Sequence, residues 1–299
     1  MKSVTDTTAD TPTVLATGGT ISCTSDTLGD LVPALGIRTL LADAGVPFSS
    51  VTARDVLRLD SSTMGLADLD ALLVEIHAAR EHGPVVVTHG TDSMEETAMA
   101  VDRLVGGRVV LTGAQRPADD PSPDGPGNLR DAMEAVSCVE APSVVFGGRR
   151  SPAYGVRKIH TTADVAFDAP SIPRPAALAT APVPLDGLRV DVVAAYQGAE
   201  PAAVRSALSA GADGIVIAAF GSGNVGALAD GVADALADGV PVVVASRVPT
   251  GGVQLVYGGA GGGRSLARAG IRSAGELTPP QARMELLCEL AVKRAQLLR

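Results

Sequence analysis

A buried strand, a tight turn and the start of a helix are predicted by the segment Val85-Val86-Val87-Thr88-His89-Gly90-Thr91-Asp92-Ser93-Met94-Glu95-Glu96-Thr97. Its three consecutive β-branched valines are typical of a parallel strand that is buried on both faces. Gly90 permits a sharp turn at the end of that strand, and Asp92 or Ser93 can cap the helix that follows. The turn therefore presents Thr91 and Asp92 at the carboxyl end of a strand, where open α/β sheets bind their ligands.

The alternation of short β-branched runs with helical patterns continues along the whole chain. Strands are predicted at residues 13–16, 51–59, 85–88, 108–112, 143–147, 190–195, 214–220 and 241–245. Helices are predicted at residues 66–82, 93–104, 128–139, 201–210, 226–237 and 279–298. This pattern predicts an α/β fold, with a mostly parallel sheet in an N-terminal domain and a smaller α/β C-terminal domain.

A proline-rich stretch divides the two sets of elements. We expect residues 169–188 to form a linker between an N-terminal α/β catalytic domain at 13–168 and the smaller domain at 189–299. Residues 1–12 are polar, and we expect them to form a frayed N-terminus.

Composition narrows the range of partners. The chain has 299 residues and a formal net charge of −9, which disfavours binding to nucleic acid or to an anionic membrane surface. The three cysteines are far apart and form neither a disulfide framework nor a metal-binding spacing. Residues 1–12 lack the apolar run that is typical of a signal peptide, and no apolar stretch of the given sequence approaches the ~18 residues needed to span a bilayer. We expect a soluble cytoplasmic protein.

Four predicted strands of the first domain end in small polar residues. These ends are residues 17–22, 60–63, 89–92 and 112–117. Because the carboxyl ends of parallel strands lie at one edge of a sheet, the four segments are expected to line one crevice. A phosphate-binding loop would carry a lysine after the glycine turn, and segment 17–22 has none. The hydroxyl groups favour acyl transfer, which needs a base and a site for the oxyanion.

A threonine hydroxyl needs such a base, and a buried lysine can serve when its pKa is lowered. The chain has three lysines, Lys2, Lys158 and Lys293. Lys2 lies in the N-terminal tail and Lys293 in the last predicted helix, whereas Lys158 lies among polar residues after the fifth strand. Lys158 is therefore a candidate base, but the residues alone favour the alternative interpretation, an ordinary surface lysine.

Two segments, residues 17–21 and 89–98, resemble the two signature motifs of the bacterial-type L-asparaginase (asparaginase/glutaminase) family. The resemblance continues at residues 113–117, 124–126, 128–129, 158, 161–162 and 246–251. It runs from about residue 13 to the last helix, so it implies the two-domain fold of that family over nearly the whole chain.

The resemblance implies hydrolysis of L-asparagine to L-aspartate and ammonia through a threonyl acyl-enzyme, without a metal or organic cofactor. Thr20 matches the family's nucleophile. Thr91, Asp92 and Lys158 match its second triad, in which Lys158 is the base, Asp92 tunes it and Thr91 stands by the scissile amide.

The resemblance also implies a set of substrate contacts. Asp92 would hold the α-amino group, Ser61 and by position Ser62 the α-carboxylate, and main-chain N–H groups of the glycine-rich turns the oxyanion. The implied substrate-binding residues are Gly19, Ser61, Ser62, Gly90, Thr91, Asp92, Ala114 and Asn224. Asn224 matches a segment that reaches a neighbouring subunit's site in tetrameric members, so a homodimer or homotetramer is expected.

The sequence departs from the family pattern at two places. Residues 22–30 match a mobile lid that carries a tyrosine in many members, and residues 31–33 (Leu-Val-Pro) stand where that tyrosine is expected. Tyr154 or Tyr196 could replace it only if folding brings one of them close. The acidic residue that tetrameric members place after the Pro-Thr-Gly turn is also absent, which leaves the preference between asparagine and glutamine open.

Three alternatives to a strict asparaginase stay open at this point. A glutaminase-asparaginase of mixed specificity is the first, and a non-catalytic amino-acid-binding protein is the second. The third is an NADP-binding protein, because residues 221–226 fit G-x-G-x-x-G and Arg247 follows the next strand. Residues 258–263, which are nearly all glycine, are predicted to form a flexible structural turn.

Overall fold

The structure of the protein is a computed structural model that describes residues 11–179 and 181–298. The predicted frayed N-terminus lies outside the described residues, apart from residues 11 and 12. The chain divides into two compact units. The first runs to Ala169 and includes residues 181–182, and the second contains Pro170–Ala179 and the chain from Val183 onward.

The first unit is built from ten strands and four helices within the described residues. The strands are β1 (Thr13–Gly18), β2 (Cys23–Ser25), β3 (Leu31–Pro33), β4 (Thr52–Leu59), β5 (Val85–Thr88), β6 (Val109–Thr112), β7 (Ser143–Phe146), β8 (Arg149–Pro152), β9 (Arg157–Lys158) and β10 (Phe167–Asp168). The helices are α1 (Ile37–Asp43), α2 (Leu66–Arg80), α3 (Met94–Leu104) and α4 (Gly125–Ala135).

Six of these strands form the central sheet, in the order β4-β1-β5-β6-β7-β8. All neighbours are parallel except β7 and β8, which form an antiparallel hairpin. The predicted fold class, a mostly parallel sheet with helices, is therefore confirmed. The strand order reverses direction at β1, so the β1–β5 pair is the topological switch point, where doubly wound sheets bind ligands.

The core of this unit follows from the valine-rich strands. Val14, Val86 and Val110 are fully buried on neighbouring strands and pack with apolar residues of α1 and α4. Burying a valine side chain stabilises the fold by about 1.5 kcal/mol or more. This apolar packing holds the strands in register and thereby fixes the positions of the loops at their carboxyl ends.

The second unit is a smaller sheet with helices. Its parallel strands, in the order β11-β12-β13-β14, are β11 (Val190–Ala194), β12 (Gly214–Ala219), β13 (Val242–Ser246) and β14 (Arg272–Ser273). Its helices are α5 (Ala202–Ser209), α6 (Ala229–Ala237), α7 (Gly263–Ala269) and α8 (Pro279–Leu297). Thr278 and Gln281 form a capping box that begins α8.

Several predicted details were wrong. The helix predicted at 128–139 begins at Gly125 because Pro126 suits a first helical turn, and it ends at Ala135. Ser93 occupies the N-cap position of α3 without a capping bond, since its hydroxyl group donates to the main-chain oxygen of Ser61 instead. The sequence did not predict the antiparallel hairpin that β2, from segment 22–30, forms with β3, whereas the role of that segment as a lid stays a prediction.

Candidate active site

Two glycine turns meet at the switch point. A Cβ atom on Gly19 would lie 2.4 Å from the Cα atom of Gly90, and Gly19 has a positive φ of 73°. Only glycine allows the two backbones to approach so closely. The next residue in each turn is a threonine, Thr20 after β1 and Thr91 after β5, so this contact brings the two predicted hydroxyl groups to one edge of the sheet.

Ser61 completes this edge from the loop after β4. Its side chain is buried, and a Cβ atom on Gly90 would lie 2.4 Å from its Oγ atom. The main-chain N–H of Asp92 donates to Ser61 Oγ over 3.2 Å, and Ser93 Oγ donates to the Ser61 carbonyl over 2.7 Å. The β4 and β5 loops are therefore joined beside Thr91.

Lys158 reaches this edge from β9. Its Nζ atom lies 2.8 Å from Thr91 Oγ1 and 3.2 Å from Asp92 Oδ1. Thr91 is buried, the Lys158 side chain is 22% exposed and the Asp92 side chain is 58% exposed. The lysine side chain thus points into the cluster rather than into solvent. Asp92, on the open side, is accessible to a ligand.

His89 stabilises the Gly90 turn from its buried side. It is fully buried, its Nδ1 lies 2.7 Å from the Gly90 carbonyl oxygen, and its Nε2 lies 3.1 Å from Thr97 Oγ1. Because a carbonyl only accepts, Nδ1–H donates to Gly90, and Nε2 of the neutral ring accepts from Thr97. Burial lowers the pKa of His89 to about 4. The neutral ring therefore fixes the carbonyl group that precedes Thr91.

A polar network holds the loop after β6. Asn128 Nδ2 donates to the Gly113 carbonyl over 2.9 Å and to Asp124 Oδ2 over 3.1 Å, and its Oδ1 accepts from the Gly147 N–H over 3.0 Å. Asp124 also accepts from the main-chain N–H groups of Gln115 and Arg116. The family resemblance covers Asp124 and Asn128 but implies no role for either residue.

Ala114 lies between this network and the Thr20 turn. It is buried, and a Cβ atom on Gly125 would lie 3.4 Å from Ala114 Cβ and 2.7 Å from Ile21 Cγ1. Since Ile21 follows Thr20 in the chain, the start of α4 packs against the turn that carries the predicted nucleophile. Ser62 is exposed and its N–H donates to Asp60 Oδ1.

The β2–β3 hairpin, which follows Thr20, is attached to the loop after β6. Ser25 N–H donates to Asp119 Oδ2 over 2.7 Å, and Ala118 N–H donates to the Cys23 carbonyl over 2.9 Å. Burial raises the pKa of the Cys23 thiol, which disfavours the reactive thiolate form. Tyr154 lies against Arg103, with 5.9 Å between the guanidinium carbon and the ring centroid.

Asn224 belongs to the second unit, where it closes a turn after β12. Its main-chain N–H and carbonyl both bond to Phe220. Gly261 covers this turn: Val225 N–H donates to the Gly261 carbonyl, and a Cβ atom on Gly261 would lie 2.4 Å from the Gly226 oxygen. The G-x-G-x-x-G segment is thus packed against protein backbone, which leaves the NADP alternative without support.

The described part of the chain contains neither a metal-binding cluster nor a membrane-spanning helix. Among residues 11–179 and 181–298, no three His, Cys, Asp or Glu side chains are grouped so that they could hold a metal ion. No helix in the same ranges has both the length and the apolarity to cross a membrane.

The switch-point site, with its threonines and lysine, has the features of an α/β hydrolytic enzyme. Residues 13–187 match the family described as "Asparaginase, N-terminal", and residues 189–296 match "Glutaminase/Asparaginase C-terminal domain". The chain belongs to the asparaginase family.

Individual relatives agree with this membership. The chain is 37% identical to a probable L-asparaginase of Deinococcus radiodurans, covering 92% of this chain and 91% of that protein. It is 30% identical to L-asparaginase 2 of Escherichia coli, over 71% of this chain and 70% of that protein. The crystal structure of a probable cytoplasmic L-asparaginase from Campylobacter jejuni superposes with a TM-score of 0.81 at 28% identity, covering 95% of this chain and 97% of that one.

Proposed function

We propose that this protein is an L-asparaginase that hydrolyses L-asparagine to L-aspartate and ammonia through a threonyl ester. The observation that carries the proposal is the 2.8 Å contact between Lys158 Nζ and Thr91 Oγ1 at the switch point, on the same edge as Thr20. Membership in the asparaginase family supports the substrate class.

In the proposed reaction, Thr20 Oγ1 attacks the side-chain amide carbon of asparagine. The C–N bond breaks, the nitrogen leaves as ammonia with the hydroxyl proton of Thr20, and a β-aspartyl ester of Thr20 forms. A water molecule then adds to the ester and releases aspartate, which restores the Thr20 hydroxyl group. The oxyanion of each tetrahedral intermediate is stabilised by main-chain N–H groups of the glycine turns.

Lys158 acts as the base of this site through Thr91. Lys158 accepts the Thr91 hydroxyl proton while Thr91 accepts the proton of the attacking Thr20 hydroxyl group or water, and the proton held by Lys158 then passes through Thr91 to the leaving nitrogen in the first step and to the Thr20 oxygen in the second. Asp92 lies 3.2 Å from Lys158 Nζ and tunes its charge. All steps of the proposed reaction use protein groups and water alone, so we expect no cofactor.

Substrate contacts are proposed from the same geometry. The exposed Asp92 carboxylate pairs with the α-ammonium group of the substrate. Ser61 Oγ accepts from the Asp92 N–H, so its own hydrogen can point to the α-carboxylate. Ser62 is proposed as a second carboxylate contact, and the main chain of Ala114 as a contact of the leaving amide.

Asn224 is proposed to contribute to substrate binding in a homodimer or homotetramer, and the protein is proposed to act in the cytoplasm. The probable cytoplasmic enzyme from Campylobacter jejuni supports the latter. Light scattering on the purified protein tests the assembly, and a monomer that is active at nanomolar concentration would contradict a role for Asn224 across subunits.

Steady-state ammonia release tests the function. We expect turnover of asparagine by the wild type and a loss of about 100-fold or more in Thr20→Ala. Measuring glutamine beside asparagine separates a strict asparaginase from a glutaminase-asparaginase of mixed specificity. Binding of asparagine without ammonia release would instead indicate an amino-acid-binding protein.

A further inference from the structure

We propose that Glu95 is a positioning residue for Lys158: its carboxylate holds the main chain of the lysine so that Nζ stays on Thr91. The inference rests on the proposed function, because it assigns Glu95 to the same amide-hydrolysing site. Nothing in the sequence points to this role, since Glu95 and Glu96 there indicate only a favourable charge at a helix start.

The main-chain N–H of Lys158 is turned away from the strand that pairs with β9. Lys158 faces Phe167 in the antiparallel register, and the neighbouring Ile159 N–H donates to the Ala166 carbonyl. Because hydrogen-bonding directions alternate along an antiparallel strand, the N–H of Lys158 points to the opposite side. There it donates to the Glu95 carboxylate.

Lys158 is consequently held at both ends. Glu95 binds its main chain, and Thr91 and Asp92 bind its Nζ atom. Thr91 and Asp92 precede α3 directly, and Glu95 is the second residue of that helix. One rigid helix start therefore fixes both the hydroxyl group and the lysine that contacts it, whereas β9 is only two residues long and gives little support of its own.

The charge state of Glu95 adds a pH dependence to this contact. Burial and the neighbouring Glu96 raise the pKa of Glu95 to about 7, while the Lys158 N–H bond and the positive charges of Arg157 and Lys158 oppose the rise. A carboxylate anion is a stronger acceptor than a neutral carboxyl group. The hold on the Lys158 main chain should thus tighten as pH rises through about 7.

The test compares Glu95→Ala with Glu95→Gln, which keeps an acceptor oxygen but cannot ionise. Glu134→Ala, which removes an exposed glutamate of α4, is the matched control. The kcat and KM for asparagine are measured from about pH 5.5 to about pH 9. We expect Glu95→Ala to lose kcat by roughly 100-fold with KM changed by less than about threefold.

At acid pH we expect Glu95→Gln to have most of the kcat that Glu95→Ala loses. Its kcat should not show the increase through neutral pH that the wild type shows. Wild-type kcat in Glu95→Ala at every pH would overturn the proposal, as would a Glu95→Gln profile that follows the wild type. If Glu95→Ala does not fold, the Glu95→Gln profile decides.

Lys158→Met in the same series distinguishes a failure of Lys158 as the base from a failure of Glu95 as its positioning residue. Full turnover by Lys158→Met would reject the proposed base itself. Loss of turnover in Lys158→Met together with wild-type behaviour of both Glu95 variants would reject only the positioning role.

Discussion

Lys158 Nζ lies 2.8 Å from Thr91 Oγ1, although 67 residues separate the two in the chain. The contact depends on the sheet order, which places the end of β5 at the switch point, and on β9, which carries the lysine back to that edge. A threonine hydroxyl group needs an adjacent base to take part in proton transfer, and the Lys158 amine lies where it can be that base for Thr91.

Removing the Thr91 hydroxyl group should abolish most activity without unfolding the protein. Thr91→Val keeps the shape of the side chain but removes the oxygen that contacts Lys158, so we expect kcat to fall by about 100-fold or more. Thr39→Val, on the exposed face of α1, is the matched control and should retain wild-type kcat. Ammonia release measures both, and equal kcat in the two variants would exclude Thr91 from the mechanism.

The close approach of the two glycine turns predicts a stability effect. Gly19→Ala places a Cβ atom against Gly90 and forces alanine to a positive φ, so we expect a loss of about 2–4 kcal/mol in the free energy of unfolding. Gly127→Ala, in α4 with open space around its Cα, should be neutral or stabilise by up to about 1 kcal/mol. Urea denaturation of both variants checks this, and a Gly19→Ala protein of wild-type stability would contradict the described packing.

The buried His89 predicts a loss of stability in acid. Its pKa is about 4 in the folded protein, below the ordinary value of 6.5, so the unfolded chain takes up a proton first as pH falls. The contribution of neutral His89 to the free energy of unfolding is complete above pH 6.5. About 3 kcal/mol of it is lost as pH falls towards 4. Measuring unfolding of the wild type and of His89→Gln at several pH values isolates it. A difference between the two proteins that does not change with pH would refute the assignment.

Asn128 predicts a third stability effect, away from the reacting groups. Asn128→Ala leaves the Gly113 carbonyl and the Gly147 N–H without their side-chain partner, and each is located in a strand-end loop. We expect the free energy of unfolding to fall by about 3 kcal/mol. Denaturation measures the loss, and a change below about 0.5 kcal/mol would show that these groups find other partners.

The sequence predicts the main strands of both sheets because valine-rich runs and glycine turns are strong local signals. The convergence of Thr20, Ser61 and Thr91 also follows, since parallel strand ends share one edge. The role of Lys158, the remaining residue of the site, follows only from the family resemblance. Its strand β9 has two residues and is too short to show an alternating pattern.

Other features depend on tertiary contacts that no local pattern encodes. The sequence allows Asp92 or Ser93 to cap α3, yet the hydroxyl group of Ser93 donates to the nearby Ser61 carbonyl instead. The hydrogen bond between Glu95 and the Lys158 main chain joins residues from distant segments, so the sequence shows only an acidic helix start. The β2–β3 hairpin is made of three-residue strands, which are below the length at which alternation can be recognised.

The most direct test of the account is ammonia release from asparagine by Lys158→Met beside Lys293→Met, which removes an exposed lysine of α8. We predict that Lys293→Met turns over like the wild type and that Lys158→Met, still folded by circular dichroism, loses kcat by about 100-fold or more. Wild-type turnover by a folded Lys158→Met protein would contradict the account.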